Sequence, residues 1–255
     1  MEAIQKLSII GTGNAGFHLA KALTSKGITV SHVYGRNKET VQAFKELFGS
    51  SIVEKPNDLP IDHTILLCVS DDSIAHLLNE LNPHYAIAYT SGAVNIDSLP
   101  HRERLGVFYP LQTFSKNIEL DYSSIPFFIE SNNELFQNKL FELASSISNS
   151  VTLADSKQRE NLHLSAVWVN NFTNHILFQA QEIAKKNNVD FNHLVPLLEE
   201  TINKLKFKSP FDAQTGPARR GDYKTIEHQL SKLNDDQKKI YQLITDSIIN
   251  TYKND

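Results

Sequence analysis

The chain has 255 residues, enough for one or two domains with a substantial buried core, and its 40% hydrophobic and 21% charged residues are ordinary for a globular protein. A formal net charge of −4 argues against a nucleic-acid-binding protein that relies on a basic surface. The single cysteine excludes an internal disulfide and a multi-cysteine metal site, and no apolar run reaches the length of a membrane span. With no export signal before the first strand, we expect a cytoplasmic protein without nucleic-acid or membrane partners.

A glycine-rich segment near the start predicts a nucleotide site. The apolar run Leu7–Ile10 is typical of a buried strand, and a helical pattern begins at about Asn14. Between them, G-x-G-x-x-G provides a tight turn at Gly11, a close backbone approach for a pyrophosphate at Gly13, and close helix packing at Gly16. The alternative is a glycine turn that only packs well. The predicted cofactor contacts in this segment are Gly11, Thr12, Gly13, Asn14, Ala15 and Gly16.

The end of the second predicted strand favours NADP over NAD. Residues 28–34 form this strand, and Gly35-Arg36-Asn37-Lys38 follow it, with no carboxylate before Glu39. An NAD site usually places Asp or Glu there to bind the ribose 2′-hydroxyl, whereas the Arg36 guanidinium suits a 2′-phosphate. We therefore predict NADP(H) contacts from Gly35, Arg36 and Asn37. The alternative is a solvated turn that opens the helix of residues 38–47.

Strands and helices alternate as far as residue 153, which predicts a Rossmann-type doubly wound α/β sheet. The further strands are expected at residues 64–69, 86–89, 105–108, 127–130 and 151–153. Ligands bind such sheets at the carboxyl ends of the strands. Two of these ends therefore predict further cofactor contacts, from Val69, Ser70 and Asp71 and from Thr90 and Ser91. Cys68 lies within a strand and is expected to be a core residue.

After Asp155 the pattern becomes all-helical, so we divide the chain into a NADP-binding domain (1–154) and a helical substrate and dimerisation domain (155–255). Asp155 and Gln158 form a capping box that opens a helix expected to reach about residue 187. At 100° per residue, His163, Asn170 and Asn174 fall on one line beside its apolar face. A polar stripe there needs partners, which an active-site cleft or helix-packing hydrogen bonds would supply.

A loop at residues 214–222 contains two glycines, a proline, Arg219 and Arg220. Such a loop can present cations to a substrate, or it is an ordinary surface turn. Helices are expected on either side of it, at residues 191–207, 223–233 and 235–252.

These motifs together resemble a family of Rossmann-like bacterial proteins that carry a dehydrogenase-like helical C-terminal domain of undefined function and are described as NADP oxidoreductases. The resemblance covers nearly the whole chain, and its most specific motif is residues 215–222. The other motifs are residues 11–16, 35–36, 69–72, 90–92, 109–114 and 162–171. More distantly, the chain resembles pyrroline-5-carboxylate reductase, deazaflavin-dependent NADP reductase and the 6-phosphogluconate and β-hydroxyacid dehydrogenases. In related folds the long helix packs against the same helix of a second subunit about a two-fold axis, which implies a homodimer.

The chain departs from these relatives at two places. The β-hydroxyacid dehydrogenases use a lysine on the long helix, four residues before an asparagine, but no lysine lies between Lys157 and Lys185. That mechanism therefore does not transfer. The Tyr109-Pro110 pair stands where relatives have His-Pro, so a phenol replaces an imidazole at this position.

The sequence thus predicts an NADPH-dependent oxidoreductase that moves a hydride between the nicotinamide and a small C=O or C=N substrate. His163 is the expected general acid because its unperturbed pKa is nearest neutrality. Asn170 would orient the substrate, and Arg219 or Arg220 would bind a substrate carboxylate. The same residues also suit two alternative functions: a non-catalytic NADP-binding sensor or regulatory protein, and a reductase that uses a deazaflavin.

Overall fold

The computed structural model describes residues 3–253, and the first part of the chain is built around one eight-stranded sheet. The strands are β1 (Lys6–Ile10), β2 (Thr29–Tyr34), β3 (Ser51–Ile52), β4 (Thr64–Leu67), β5 (Ala86–Tyr89), β6 (Leu105–Pro110), β7 (Phe127–Ser131) and β8 (Val151–Leu153). They lie in the order β3-β2-β1-β4-β5-β6-β7-β8, and every pair is parallel except β6 and β7. This topology confirms the predicted Rossmann-type sheet.

Helices connect the strands and follow the sheet. They are α1 (Asn14–Ser25), α2 (Lys38–Phe48), α3 (Asp71–Glu80), α4 (Glu134–Ser145), α5 (Ser156–Ala166), α6 (Thr173–Lys186), α7 (Val195–Lys204), α8 (Pro210–Ala213), α9 (Pro217–Arg220), α10 (Tyr223–Leu230) and α11 (Asp235–Thr251). Local sequence explains several of their ends. Asn37, for example, caps α2 by accepting a hydrogen bond from Thr40 N, and Gly49 ends it in the left-handed conformation.

The core lies on both faces of the sheet, which is why its central strands are continuous apolar runs. Leu7 and Ile9 of β1 face one buried cluster with α1 and α4, while Ile10 faces the other with α3. Each fully buried side chain of this kind contributes about 1.5–3 kcal/mol relative to exposure. The carboxyl ends of β1, β2, β4, β5 and β6 therefore lie at one edge of a rigid scaffold.

The predicted long helix is not a single α-helix. The Asp155–Gln158 capping box opens α5 as expected, but the α-helical hydrogen bonding gives way to a π-helix at Val167–Phe172 before α6 begins. A π-helix bonds residue i to i+5, so 100° per residue does not hold through this segment. The predicted alignment of His163 with Asn170 and Asn174 assumed a continuous α-helix, and that assumption was wrong.

The chain divides into two compact units between Trp168 and Val169. The first unit thus includes α5, beyond residue 154, and the division of functions that we expect at residue 154 stays a prediction. In the second unit α9 packs against α10 and α11, and the rings of Phe211 and Tyr252 lie 4.6 Å apart. None of the helices within residues 3–253 combines the length and the apolar character that crossing a bilayer requires.

Candidate functional site

The glycine loop after β1 has the geometry that a phosphate site requires. Gly11 has φ 106°, and a Cβ there would overlap the carbonyl oxygen of Cys68. A Cβ on Gly16 would overlap the carbonyl oxygen of Gly11, so α1 can approach the strand only with glycine at this position. A Cβ on Gly13 would meet no atom within 4 Å, which leaves open space in front of the backbone.

The N-terminus of α1 opens onto that space. Gly13 is its cap residue and has no side chain to bond the first amide groups, and no acidic residue lies in the first turn. The free N–H groups and the helix dipole therefore favour an anion there.

A cavity of about 640 Å³ lies along the carboxyl ends of β1, β2 and β4. The predicted cofactor residues that line it are Gly11, Thr12, Gly13, Asn14, Gly35, Arg36, Asn37, Val69 and Ser70. The predicted residues that do not line it are Ala15, Gly16, Asp71, Thr90 and Ser91. A larger cavity of about 900 Å³ lies at the opposite edge of the sheet, beside Lys6 and Thr64, and has no glycine loop. Because ligands of such sheets bind at the carboxyl ends, the smaller cavity is the candidate site.

The β2 end of the cavity is cationic. Arg36 is exposed there, and residues 35–38 after the strand contain no carboxylate; the carboxylate in the lining of the cavity is Glu80 of α3. Gly35 packs so closely that a Cβ would lie 2.8 Å from the Thr12 hydroxyl oxygen. The side-chain oxygen of Asn37 is used as the cap of α2, which leaves its amide nitrogen for a ligand. Arg36 is therefore the side chain best suited to a 2′-phosphate.

The hydroxyl groups after β4 and β5 make local contacts. Ser70 Oγ lies 2.9 Å from Ser73 Oγ at the start of α3. Thr90 donates to Leu67 O at 3.2 Å, and Ser91 Oγ accepts from the backbone amides of residues 93 and 94 at 3.1 Å. The Thr90 and Ser91 side chains thus stabilise the turn after β5. Their predicted cofactor contacts stay predictions.

Tyr109, at the carboxyl end of β6, contacts His163 of α5. Its hydroxyl lies 3.1 Å from His163 Nδ1, and a Cβ on Gly92 would lie 2.5 Å from its ring. Burial raises the pKa of the Tyr109 phenol; the Arg159 charge opposes this rise and the Asp71 charge adds to it. The phenol therefore stays protonated at neutral pH.

Arg159 is the side chain that sequence reasoning missed. It is 1% exposed and pairs with Glu130 of β7, and it also donates to Ser91 O at 3.2 Å and to Val94 O. It lies one helical turn before His163, so the two side chains leave the same face of α5. Arg159 thus anchors the helix that carries His163 to the strand ends. In the sequence Arg159 is an arginine within a helical pattern, and such a residue is equally expected on a solvent-exposed face of a helix.

The three remaining predicted residues belong to the second unit. Asn170 is exposed within the π-helix. Arg219 donates to Gln214 O at 2.6 Å, and its guanidinium carbon lies 4.7 Å from the centre of the Tyr252 ring. Arg220 is exposed at the end of α9. His163 belongs to the first unit, so the catalytic roles of these four residues stay predictions.

Two family models match the chain. The model described as NADP oxidoreductase, coenzyme F420-dependent, matches residues 6–89, and the domain of unknown function DUF2520 matches residues 125–248. No curated protein matches the chain.

Solved structures resemble the chain over nearly its whole length. A Bacteroides fragilis protein assigned as an NADP oxidoreductase is 35% identical, with a TM-score of 0.87 over 96% of this chain and 98% of that one. Pyrroline-5-carboxylate reductase from Streptococcus pyogenes is 15% identical, with a TM-score of 0.63 over 97% and 98%. An imine reductase from Streptomyces aurantiacus is 13% identical, with a TM-score of 0.67 over 96% and 93%. The latter two show a shared fold.

Proposed function

Because the chain belongs to the NADP oxidoreductase family that its Bacteroides fragilis relative represents, we propose that it is a reductase of a small C=O or C=N substrate. The family establishes an enzyme with NADP as its cofactor and a small molecule as its substrate.

One observation carries the proposal: the glycine loop and Arg36 line the same cavity. The open backbone at Gly13 and the N-terminus of α1 suit a pyrophosphate, and Arg36 suits a 2′-phosphate at the far end of the same molecule. The nicotinamide would then extend along the strand ends toward β5 and β6, where Tyr109 and His163 lie.

When bound, NADPH supplies the hydride that the substrate carbon receives. His163 would give a proton to the substrate oxygen or nitrogen as the double bond is lost, which makes it the general acid. Asn170 would orient the substrate by hydrogen bonding. Arg219 and Arg220 would bind a substrate carboxylate, for which a guanidinium is well suited.

The exposed apolar side chains of the second unit support a homodimer. Val169 is 76% exposed, Leu197 65%, Phe207 86% and Leu243 72%. Exposed apolar groups in such number usually mark an interface, and a two-fold packing of this unit would bury them. A cytoplasmic location likewise stays a prediction.

A second candidate function follows from the match of residues 6–89 to the family of coenzyme F420-dependent NADP oxidoreductases. In that reaction a reduced deazaflavin would transfer a hydride to NADP⁺. No small imine or ketone would be turned over.

A binding titration and a turnover panel test these proposals. NADPH and NADH are titrated into the wild type and into Arg36→Ala, following nicotinamide fluorescence. We expect tight NADPH binding that falls to the NADH value in the variant, because only NADPH carries the 2′-phosphate. Lys38→Ala removes an exposed cation that does not line the cavity, and it should leave both affinities unchanged.

Turnover is then followed as NADPH oxidation with 1-pyrroline-5-carboxylate and with a series of small ketones, and as NADP⁺ reduction by reduced F420. Oxidation with any imine or ketone, reduced to a low residual rate in His163→Ala with NADPH affinity intact, supports the proposal. Activity only with F420 would replace it with the second candidate. Failure to bind either nucleotide would overturn both.

A further inference from the structure

Tyr109 is held more rigidly than a surface tyrosine. It is 8% exposed, its ring packs against Gly92 at the end of β5, and the ring of Phe128 lies 6.4 Å away. Its hydroxyl is 3.1 Å from His163 Nδ1, and the two rings meet edge to face at 62°. The sheet scaffold therefore fixes the position of the hydroxyl, and the hydroxyl contacts a defined nitrogen of the imidazole.

We propose that Tyr109 is a positioning residue that holds the His163 imidazole through Nδ1, in both of its protonation states, and so leaves Nε2 as the atom that delivers the proton. This inference rests on the proposed function, because it names the device that aims the general acid of that reaction.

A hydroxyl group suits this task because it both donates and accepts hydrogen bonds. When neutral His163 carries its proton on Nε2, the phenol donates its own proton to Nδ1. When His163 is charged, and after it has given up the Nε2 proton, Nδ1–H donates to the phenol oxygen. The ring therefore keeps its orientation as its charge changes, which an acceptor-only or donor-only partner would not allow.

The proton balance is complete with these groups. Charged His163 releases the Nε2 proton to the substrate oxygen or nitrogen while the substrate carbon receives the hydride, and Nδ1–H continues to donate a hydrogen bond to the Tyr109 oxygen. A proton from solvent restores the charge. The charged groups that face Tyr109 are Arg159 of α5 and Asp71 of α3, and Arg159 is itself paired with Glu130.

The chain offers a matched control. Tyr122 also bonds a histidine through Nδ1, since its hydroxyl lies 2.9 Å from His18 Nδ1, but His18 belongs to α1 and its Nε2 is already bonded to Ser115 O at 2.9 Å. Tyr109→Phe and Tyr122→Phe each remove one hydroxyl and keep the ring, so both variants should fold.

The first experiment follows the nitrogen-15 resonances of His163 in the protein saturated with NADP⁺, assigned with His163→Gln. We expect Tyr109→Phe to shift the His163 Nδ1 resonance and Tyr122→Phe to leave it unchanged. This result does not depend on turnover, so it stands apart from any failure of the proposed function. An unshifted Nδ1 resonance would overturn the inference.

The second experiment is a double-mutant cycle on NADPH oxidation with 1-pyrroline-5-carboxylate as the probe. Tyr109→Phe should lower kcat by about 10- to 100-fold with KM and NADPH affinity unchanged, as expected for a misaligned acid. In the His163→Ala background the same change should cost nothing, because Tyr109 acts through His163. An equal loss in that background would mean that Tyr109 is itself the proton donor, and would overturn the positioning role.

Discussion

Lys116 Nζ donates a hydrogen bond to the carbonyl oxygen of Thr12 at 3.1 Å. This contact joins the segment after β6 to the glycine loop, across a distance of 104 residues in sequence. It also places an ammonium group in the lining of the cofactor cavity, 5.7 Å from the centre of the Phe17 ring. The cavity therefore has a cation near the expected pyrophosphate as well as Arg36 at its other end.

Lys116→Ala should weaken NADPH binding. A partly exposed cation beside a pyrophosphate contributes about 1 kcal/mol, so we expect a Kd about fivefold higher at low salt and a smaller difference at high salt. Lys21→Ala is the control, because its ammonium pairs with Glu119 and does not line the cavity. Equal NADPH affinity of wild type and Lys116→Ala at low salt would show that Lys116 stabilises the glycine loop and does not bind the cofactor.

Two glycine substitutions should affect different properties: Gly92→Ala should lower stability, and Gly13→Ala should lower NADPH affinity. In Gly92→Ala the new Cβ would lie 2.5 Å from the Tyr109 ring, so we expect a loss of about 1–3 kcal/mol in the free energy of unfolding and a shifted His163 Nδ1 resonance. In Gly13→Ala the Cβ meets no atom, so thermal stability should be unchanged while NADPH affinity falls. Calorimetry and the fluorescence titration measure the two effects. An unchanged NADPH affinity in Gly13→Ala would argue against a pyrophosphate at this loop.

Arg159→Met should be strongly destabilising. Arg159 is almost fully buried and Glu130 is largely buried, so removing the arginine leaves the carboxylate without its cation, bonded still to the Ser156 hydroxyl, at a cost of about 3–5 kcal/mol. Adding Glu130→Gln to this variant should restore part of the loss, because the unpaired charge is then gone. Denaturant unfolding measures all three proteins. If the double variant is less stable than Arg159→Met alone, the hydrogen bonds from the Ser156 hydroxyl to the Glu130 carboxylate outweigh the cost of its unpaired charge.

Cys68 should be unreactive in the folded protein. Burial raises the pKa of its thiol to about 12, so almost no thiolate exists at pH 8. We expect a thiol reagent to label the protein only after unfolding in guanidinium chloride, although Cys68 borders the cofactor cavity. Rapid labelling of the folded protein at pH 8, slowed by NADPH, would instead indicate an accessible thiolate.

His63 should make stability depend on pH. Its Nδ1 lies 2.9 Å from the buried Ser8 hydroxyl, and burial lowers the pKa of the imidazole; Lys6 and His32 add to this, while Asp62 opposes it. Since the unfolded chain binds a proton near pH 6.5 and the folded chain does so only at lower pH, the free energy of unfolding should fall as pH drops below about 6.5.

His63→Gln should flatten this dependence, with His76→Gln, an exposed histidine, as the control. Denaturant unfolding between about pH 5 and pH 8 measures it. If both variants keep the wild-type slope, the slope comes from other groups.

Local patterns predicted most of the fold. The buried strands were visible as continuous apolar runs, and the bounds of β8 at Val151–Leu153 agree with the expected ones. The capping box at Asp155 and Gln158 was also correct, because a cap depends on residues three positions apart. The π-helix at Val167–Phe172 was missed, since an α-helical and a π-helical segment show no difference in composition that a single sequence reveals.

The sequence by itself determined the Rossmann-type sheet, the glycine loop at Gly11–Gly16 and the cation at Arg36, because each depends on neighbours in the chain. Only the tertiary structure decided that Tyr109 contacts His163, 54 residues away, and that Arg159 pairs with Glu130. Those contacts form where strand ends and a helix meet in space, and the hydrophobic periodicity of the sequence does not predict them. The physical reason is that sheet order brings distant segments together, while composition and spacing describe only what lies along the chain.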